Sequence, residues 1–260
     1  MSRTTSRDGT TIAFTRSGEG PALVLVDGAL SYRGFGPMAG LADVLRSSFT
    51  LYTYDRRGRG ESGDTAPYAV AREVEDLEAL ITEAGGSPYV CGMSSGAVLA
   101  LEAAASGLAI SKLALYEPPL APGGGDLHET SAFTERLEEL LAAARRGDAV
   151  EWFFTNAGVP PEAIAEMREE PEWPLFEAIA PTLGHDNAVL GDGTVPHERA
   201  AKVTVPTLVA NGAESPAFFH QGARATADAI RDARHRTLEG QSWGRVAPEA
   251  LASALTEFFN

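Results

Sequence analysis

The segment Gly92-Met93-Ser94-Ser95-Gly96 follows an apolar run, Tyr89-Val90-Cys91, and leads straight into an alanine-rich helical pattern. In a strand, G-x-S-x-G, helix order the serine sits on a turn too tight for large neighbours, and its hydroxyl is lifted over the strand ends. The N–H of Ser95 then points from a helix N-terminus toward any charge that develops on a bound carbonyl oxygen. This is the equipment of nucleophilic catalysis, and it needs a base to take the serine proton. The histidines are His128, His185, His197, His220 and His235. His235 belongs to a strand pattern and reads as structural, whereas His185-Asp186 is placed to reach down over Ser94. No H-x-x-x-H or C-x-x-C spacing occurs, so neither a metal nor a cofactor is expected. Gly58-Arg59-Gly60-Glu61-Ser62-Gly63 matches G-x-G-x-x-G, but Asp64-Thr65-Ala66-Pro67 follows where a dinucleotide site requires a helix.

The elements that must position these residues alternate along the chain. Strand-like runs cover 11–15, 22–26, 49–54, 88–91, 112–116, 207–210 and 235–238, and most are near-continuously apolar, as strands buried on both faces are. Helical spacing marks 73–84, 95–105, 223–230 and 248–259 between them. The expected class is α/β, a mostly parallel central sheet with helices on both faces. Between Leu120 and Thr204 the strands stop and helical patterns at 134–146, 149–155 and 162–168 take over, bracketed by Gly123-Gly124-Gly125 and Pro196 as hinges. The chain therefore divides into a first core part (1–119), a helical cap over the carboxyl edge of the sheet (120–204) and a second core part (205–260). Trp152, Phe153, Phe154, Trp173 and Phe176 of the cap are candidates to wall an apolar pocket.

With 260 residues, 44% of them hydrophobic, the chain can bury a large core. Its 21 Lys and Arg stand against 36 Asp and Glu, a formal charge of -15 that repels phosphate backbones and anionic lipid. Nucleic acid and membrane partners are not expected, and a small hydrophobic ligand or substrate is, for a monomer or homodimer. The single cysteine, Cys91, reads as a core residue of a protein from a reducing compartment. Without an apolar leader or a run of 18 apolar residues, a cytoplasmic location is expected.

With these pieces in order, the chain resembles the α/β-hydrolase fold family nearly from end to end. The resemblance rests on Val24-Leu25-Val26-Asp27-Gly28-Ala29, on Tyr54-Asp55-Arg56-Arg57-Gly58-Arg59-Gly60-Glu61-Ser62, on the serine turn, and on Leu115-Tyr116-Glu117-Pro118-Pro119. Pro206-Thr207-Leu208-Val209 and Leu238-Glu239-Gly240-Gln241-Ser242-Trp243 complete it. It implies Ser94 at the nucleophile position and an oxyanion hole made by the N–H groups of Ala29 and Ser95. It also implies a histidine in the loop after the last strand, where this chain has none and Trp243 takes the place. Asp27 stands where the family usually has histidine, and Met93 where a polar residue is common. For the acid, Glu117 occupies the position used in some relatives, and Glu214 lies one residue before the other usual position.

Loss of the histidine from a working triad costs about 10⁶ in rate. Three readings follow. In the first, the scaffold runs a non-hydrolytic cyclisation, isomerisation or elimination on a small hydrophobic metabolite, with Asp27 as acid/base, Ser94 as hydrogen-bond partner and Trp243 as an apolar wall. In the second, a serine esterase uses a relocated base such as His185. In the third, a non-catalytic relative binds a small molecule.

Overall fold

In the computed structural model, which describes residues 2–123, 127–243 and 246–260, the side chains of 127–130 excepted, the seven strand-like runs and the segment Ser2–Thr5 form eight strands. They are β1 (Ser2–Thr5), β2 (Thr11–Ser17), β3 (Ala22–Val26), β4 (Thr50–Tyr54), β5 (Tyr89–Met93), β6 (Lys112–Tyr116), β7 (Thr207–Gly212) and β8 (Ala233–Leu238). All eight form one sheet in the order β1-β2-β4-β3-β5-β6-β7-β8. β1, β2 and β4 pair antiparallel, and the remaining neighbours are parallel. Every residue of β4 and β7 is buried, as expected of strands covered on both faces.

Successive side chains of a strand enter opposite layers. Val24 and Val26 pack with Leu77, Leu80, Leu99 and Ala223 from α2 (Val70–Glu83), α3 (Ser95–Ala105) and α10 (Ala217–Ala229). Leu23 and Leu25 pack on the other face with Met38, Leu41, Leu251 and Leu255 from α1 (Pro37–Leu45) and α11 (Pro248–Phe259). Cys91 belongs to this second layer, and burial pushes its thiol up to about 12.

Between β6 and β7 lie α4 (Leu127–Ala142), α5 (Arg146–Asn156), α6 (Pro161–Glu169), α7 (Trp173–Ile179), a 3-10 turn (Ala180–Thr182), α8 (Leu183–Leu190) and α9 (His197–Ala200). Leu137, Leu140, Val150, Ile164, Trp173 and Leu183 build a third apolar cluster there, which includes Leu30 from the loop after β3. Of the expected hinge glycines, Gly124 and Gly125 lie outside the described residues. Among the described residues no helix is long and apolar enough to cross a membrane.

Candidate functional site

At the carboxyl end of β5 the chain turns sharply into α3, and Ser94 takes φ 54 and ψ -126. A side chain in that region costs roughly 1–3 kcal/mol and persists only where its surroundings enforce it. Here the Ser94 N–H donates to the Tyr116 carbonyl at 2.9 Å, and its own carbonyl accepts from the N–H groups of Ala97 and Val98 at 2.9 and 3.3 Å. Gly96 is required because a Cβ there would overlap the carbonyl oxygens of Val26 and Asp27. Gly28 approaches the same turn so closely that an added Cβ would lie 3.0 Å from Ser94 Cβ.

Above this turn is a cavity of about 460 Å³. Its walls include Ala29, Leu30, Phe35, Met93, Phe153, Phe154, Phe176 and Trp243, and Ser94 and Glu117 are on its lining. Leu30 and Glu117 share the strained backbone of Ser94, with φ 52 and 49. Three of the four non-glycine residues with positive φ among the described residues thus line one apolar pocket, the fourth being Ala144, as at sites built to hold a ligand. Phe35, Phe176 and Phe154 meet edge to face along one wall, with centroids 4.9 and 5.4 Å apart. Trp243 stacks on Phe219 at 6.2 Å and 17°.

Glu117 is 3% exposed. Its Oε1 accepts the Gly212 N–H at 2.9 Å and the Ser215 hydroxyl. Burial raises its pKa above the usual carboxylate value, against the pull of those two hydrogen bonds. Glu214, the other candidate acid, is exposed and does not line the cavity.

Several expected site residues lie elsewhere. Asp27 is 2% exposed and absent from the cavity lining, with Oδ1 buried and unpartnered. Burial pushes its carboxyl up to about 7, although the charges of Arg59 and Arg56 pull the other way. It lies buried just after β3, off the cavity lining. His185 does not reach Ser94 either: its ring stacks on Tyr68 at 3.8 Å and Nε2 lies 3.6 Å from Asp64 Oδ2. Burial lowers its pKa, with Asp64 the leading opposing charge. Trp152 and Trp173 pack among the inter-strand helices, and their indole N–H groups donate to the Phe133 carbonyl and to Glu177 Oε1. Phe153, Phe154 and Phe176 are the aromatic residues of that segment that meet the cavity.

His220 and His235 are tied to Asn211, at 2.9 and 2.7 Å. Among the described residues no side chain hydrogen-bonds the Ser94 hydroxyl, and no cluster of three or more His, Cys, Asp or Glu could hold a metal. Gly244 and Arg245, next to Trp243, lie outside the described residues.

Residues that sequence reasoning did not place at the pocket include Leu30, Phe35 and Gly36 from the loop after β3, Pro37 at the start of α1, and Tyr116, Val159, Met167 and Val246 from elsewhere in the chain. The signal available was Phe35 in a Gly-rich stretch leading to Pro37, an N-terminal helix signature.

A serine on a strained strand-to-helix turn, set at the carboxyl edge of a largely parallel eight-stranded sheet, defines the class of protein. A model of the alpha/beta hydrolase family matches residues 23–254, and the chain belongs to that family. It is similar to an alpha/beta hydrolase from Sphaerobacter thermophilus, 52% identical over 100% of both chains with a TM-score of 0.90. A hydrolase from Pseudomonas aeruginosa is 24% identical over 100% of this chain and 98% of that one, TM-score 0.78. An enol-lactonase from Burkholderia xenovorans is 22% identical over 99% of each chain, TM-score 0.71. These two share the fold.

Proposed function

We propose that the pocket takes a small apolar carbonyl compound and that its chemistry is proton transfer, an isomerisation or elimination, and not acyl transfer. The carbonyl oxygen accepts from the N–H groups of Ala29 and Ser95 and from the Ser94 hydroxyl. Glu117 takes a proton from the carbon beside the carbonyl and the negative charge moves to the oxygen in the hole; as the charge returns, either Glu117 gives the proton back to the skeleton, or the bond from the next carbon to a leaving group breaks, a C=C bond forms and Glu117 passes the proton to the departing group. Burial suits Glu117 to this role, because a carboxylate of raised pKa is a stronger base.

The observation that carries the reading is the Trp243 indole, stacked on Phe219, in the loop where a serine hydrolase keeps its imidazole, beside a pocket whose carboxylate is Glu117. The test has two parts. Intact-protein mass after exposure to a serine-directed phosphonate, with Ser94→Ala as control, is expected to show no adduct. In D₂O, 4-phenyl-2-butanone is expected to exchange its α-hydrogens in the presence of the protein, and Glu117→Gln abolishes this. Binding without exchange in the wild type would leave a carrier and remove the enzyme.

A second reading, hydrolysis through Ser94, is favoured by the retained strain at that residue, φ 54. Its base would be Glu117 acting through a water. Stoichiometric labelling of Ser94 would put this reading first.

A further inference from the structure

Two guanidinium groups lie fully buried beneath the oxyanion strand end, far from bulk water. Arg59 donates through Nη1 to the Gly28 carbonyl and, at 3.0 Å, to the Ser31 carbonyl. Arg56 Nη1 reaches the Asp27 carbonyl at 3.2 Å. A trans peptide plane carries its C=O and N–H on opposite sides. Fixing the Gly28 carbonyl toward Arg59 therefore turns the Ala29 N–H the other way, toward the pocket that Ala29 lines. Among the described residues that N–H meets no protein acceptor. The second donor, the N–H of Ser95, opens α3 and is unsatisfied by helix geometry.

A single carboxylate ties these parts together. Asp186 of α8 accepts both guanidiniums, Arg56 Nη1 at 2.7 Å and Arg59 Nη2 at 2.8 and 2.7 Å on its two oxygens. It also accepts the Ser95 hydroxyl at 2.6 Å. Arg56 has a second anion in Glu73, but among the described residues Arg59 has Asp186 alone within ion-pair distance. Burial works to raise the Asp186 pKa, and Arg59 and Arg56 outweigh it and hold the carboxyl below its usual range.

We infer that Asp186 is a positioning residue for the oxyanion hole: through Arg59 it orients the Ala29 N–H, and directly it holds the start of α3 that carries the Ser95 N–H. The inference rests on the carbonyl-binding reading above and adds its regulation. Because α8 belongs to the helices between β6 and β7, the hole is complete only while that segment is seated on the sheet. Ser31 Oγ also donates to the Gly28 carbonyl, at 3.0 Å, so loss of Asp186 weakens the arrangement without freeing the loop entirely.

The test is the carbonyl stretch of carbonyl-¹³C-labelled 4-phenyl-2-butanone bound to the full chain, read by isotope-edited infrared difference. In the wild type the stretch moves to lower frequency than in an apolar solvent. In Asp186→Asn most of that shift is lost and affinity falls about tenfold, the worth of roughly one net hydrogen bond. Arg57→Gln is the matched control. Arg57 is equally buried and pairs with Asp76 and Asp8, but makes no hydrogen bond to residues 27–31. It is expected to lose stability while keeping the full shift.

An unchanged shift in folded Asp186→Asn overturns the inference, and so does an equal loss in Arg57→Gln. If Asp186→Asn does not fold, Thr182→Val removes the 3.1 Å acceptor of Arg59 Nε, together with the local hydroxyl bond to the Ile179 carbonyl, and leaves Asp186 in place. A partial loss of shift there supports the inference and none overturns it. Absence of any shift in the wild type, with the ketone bound, instead removes the carbonyl-binding reading on which it stands.

Discussion

If a missing imidazole is what leaves Ser94 unreactive, Trp243→His should restore reactivity. Glu117 Oε1 already accepts from Gly212 at 2.9 Å and from Ser215, and Oε2 has no partner among the described residues. Oε2 is thus free to accept Nδ1–H of a new imidazole, which leaves Nε2 for the Ser94 hydroxyl. A positioned general base contributes about 10²–10⁴ in rate. A site not selected for this geometry should reach the lower end, about 10²-fold, or roughly 2.7 kcal/mol at 1.36 kcal/mol per decade. The substitution sacrifices the stack on Phe219, worth about 0.5–1.5 kcal/mol beyond its buried area, so the protein should remain folded. The assay is the pseudo-first-order rate of phosphonate adduct formation by intact mass. The neutral imidazole is the active form, so the rate should rise with pH through about 6.5 and then level. Adding Glu117→Gln should take back about tenfold of the gain, since the imidazole would lose its orienting carboxylate. A folded Trp243→His protein that labels no faster than wild type would refute the reasoning, because turn, hole and acid would then be insufficient for a serine nucleophile.

Three further outcomes follow from the same geometry. Gly96→Ala would press a methyl group into the carbonyl oxygens of Val26 and Asp27 and should lower stability by about 3 kcal/mol, read as a reduced urea midpoint at unchanged slope. Asp27 has a folded pKa raised from 3.8 to about 7, so the native state binds more protons than the unfolded chain between those values. Its contribution therefore falls as pH rises through that window and is level above it. Asp27→Asn, which never ionises, should gain on wild type at pH ~8 by up to about 4 kcal/mol at roughly 1.4 per unit, and by little near pH ~4. Equal urea midpoint differences at the two pH values would contradict this. Phe176→Ala removes the ring that contacts both Phe35 and Phe154 and should weaken ketone binding about tenfold, with calorimetry as the measurement.

Periodicity made most of the sheet legible, because its inner strands β3 to β7 are buried on both faces and read as short apolar runs. It could not reveal β1: Ser2-Arg3-Thr4-Thr5 is an edge strand with mostly exposed side chains, fixed by its register with Thr11 to Phe14 and not by its own pattern. The helix α1 was also hidden, its apolar face being only Met38, Leu41 and Leu45 with Gly40 among them. The serine turn was visible because its requirements are local. Glycines at 92 and 96 and the order strand, turn, helix are all set within a few residues.

What the sequence could not show depends on direction and on long-range pairing. Adjacent residues on a helix point about 100° apart. Once Asp186 turns inward to Arg56 and Arg59, His185 is carried round to Tyr68 and Asp64, so one of the pair can serve the oxyanion strand but not both. The same rotation separates Trp152, turned toward Phe133, from Phe153 and Phe154, which meet the cavity. Asp27 and Glu117 both end strands, and only coordinates distinguish the carboxyl sealed beneath the strand end from the one on the pocket wall. The consequence for chemistry is specific. The indole at position 243 is written in one letter, but that Glu117 is the carboxylate lining the same cavity, with a pKa raised by burial, is announced by no spacing in the chain.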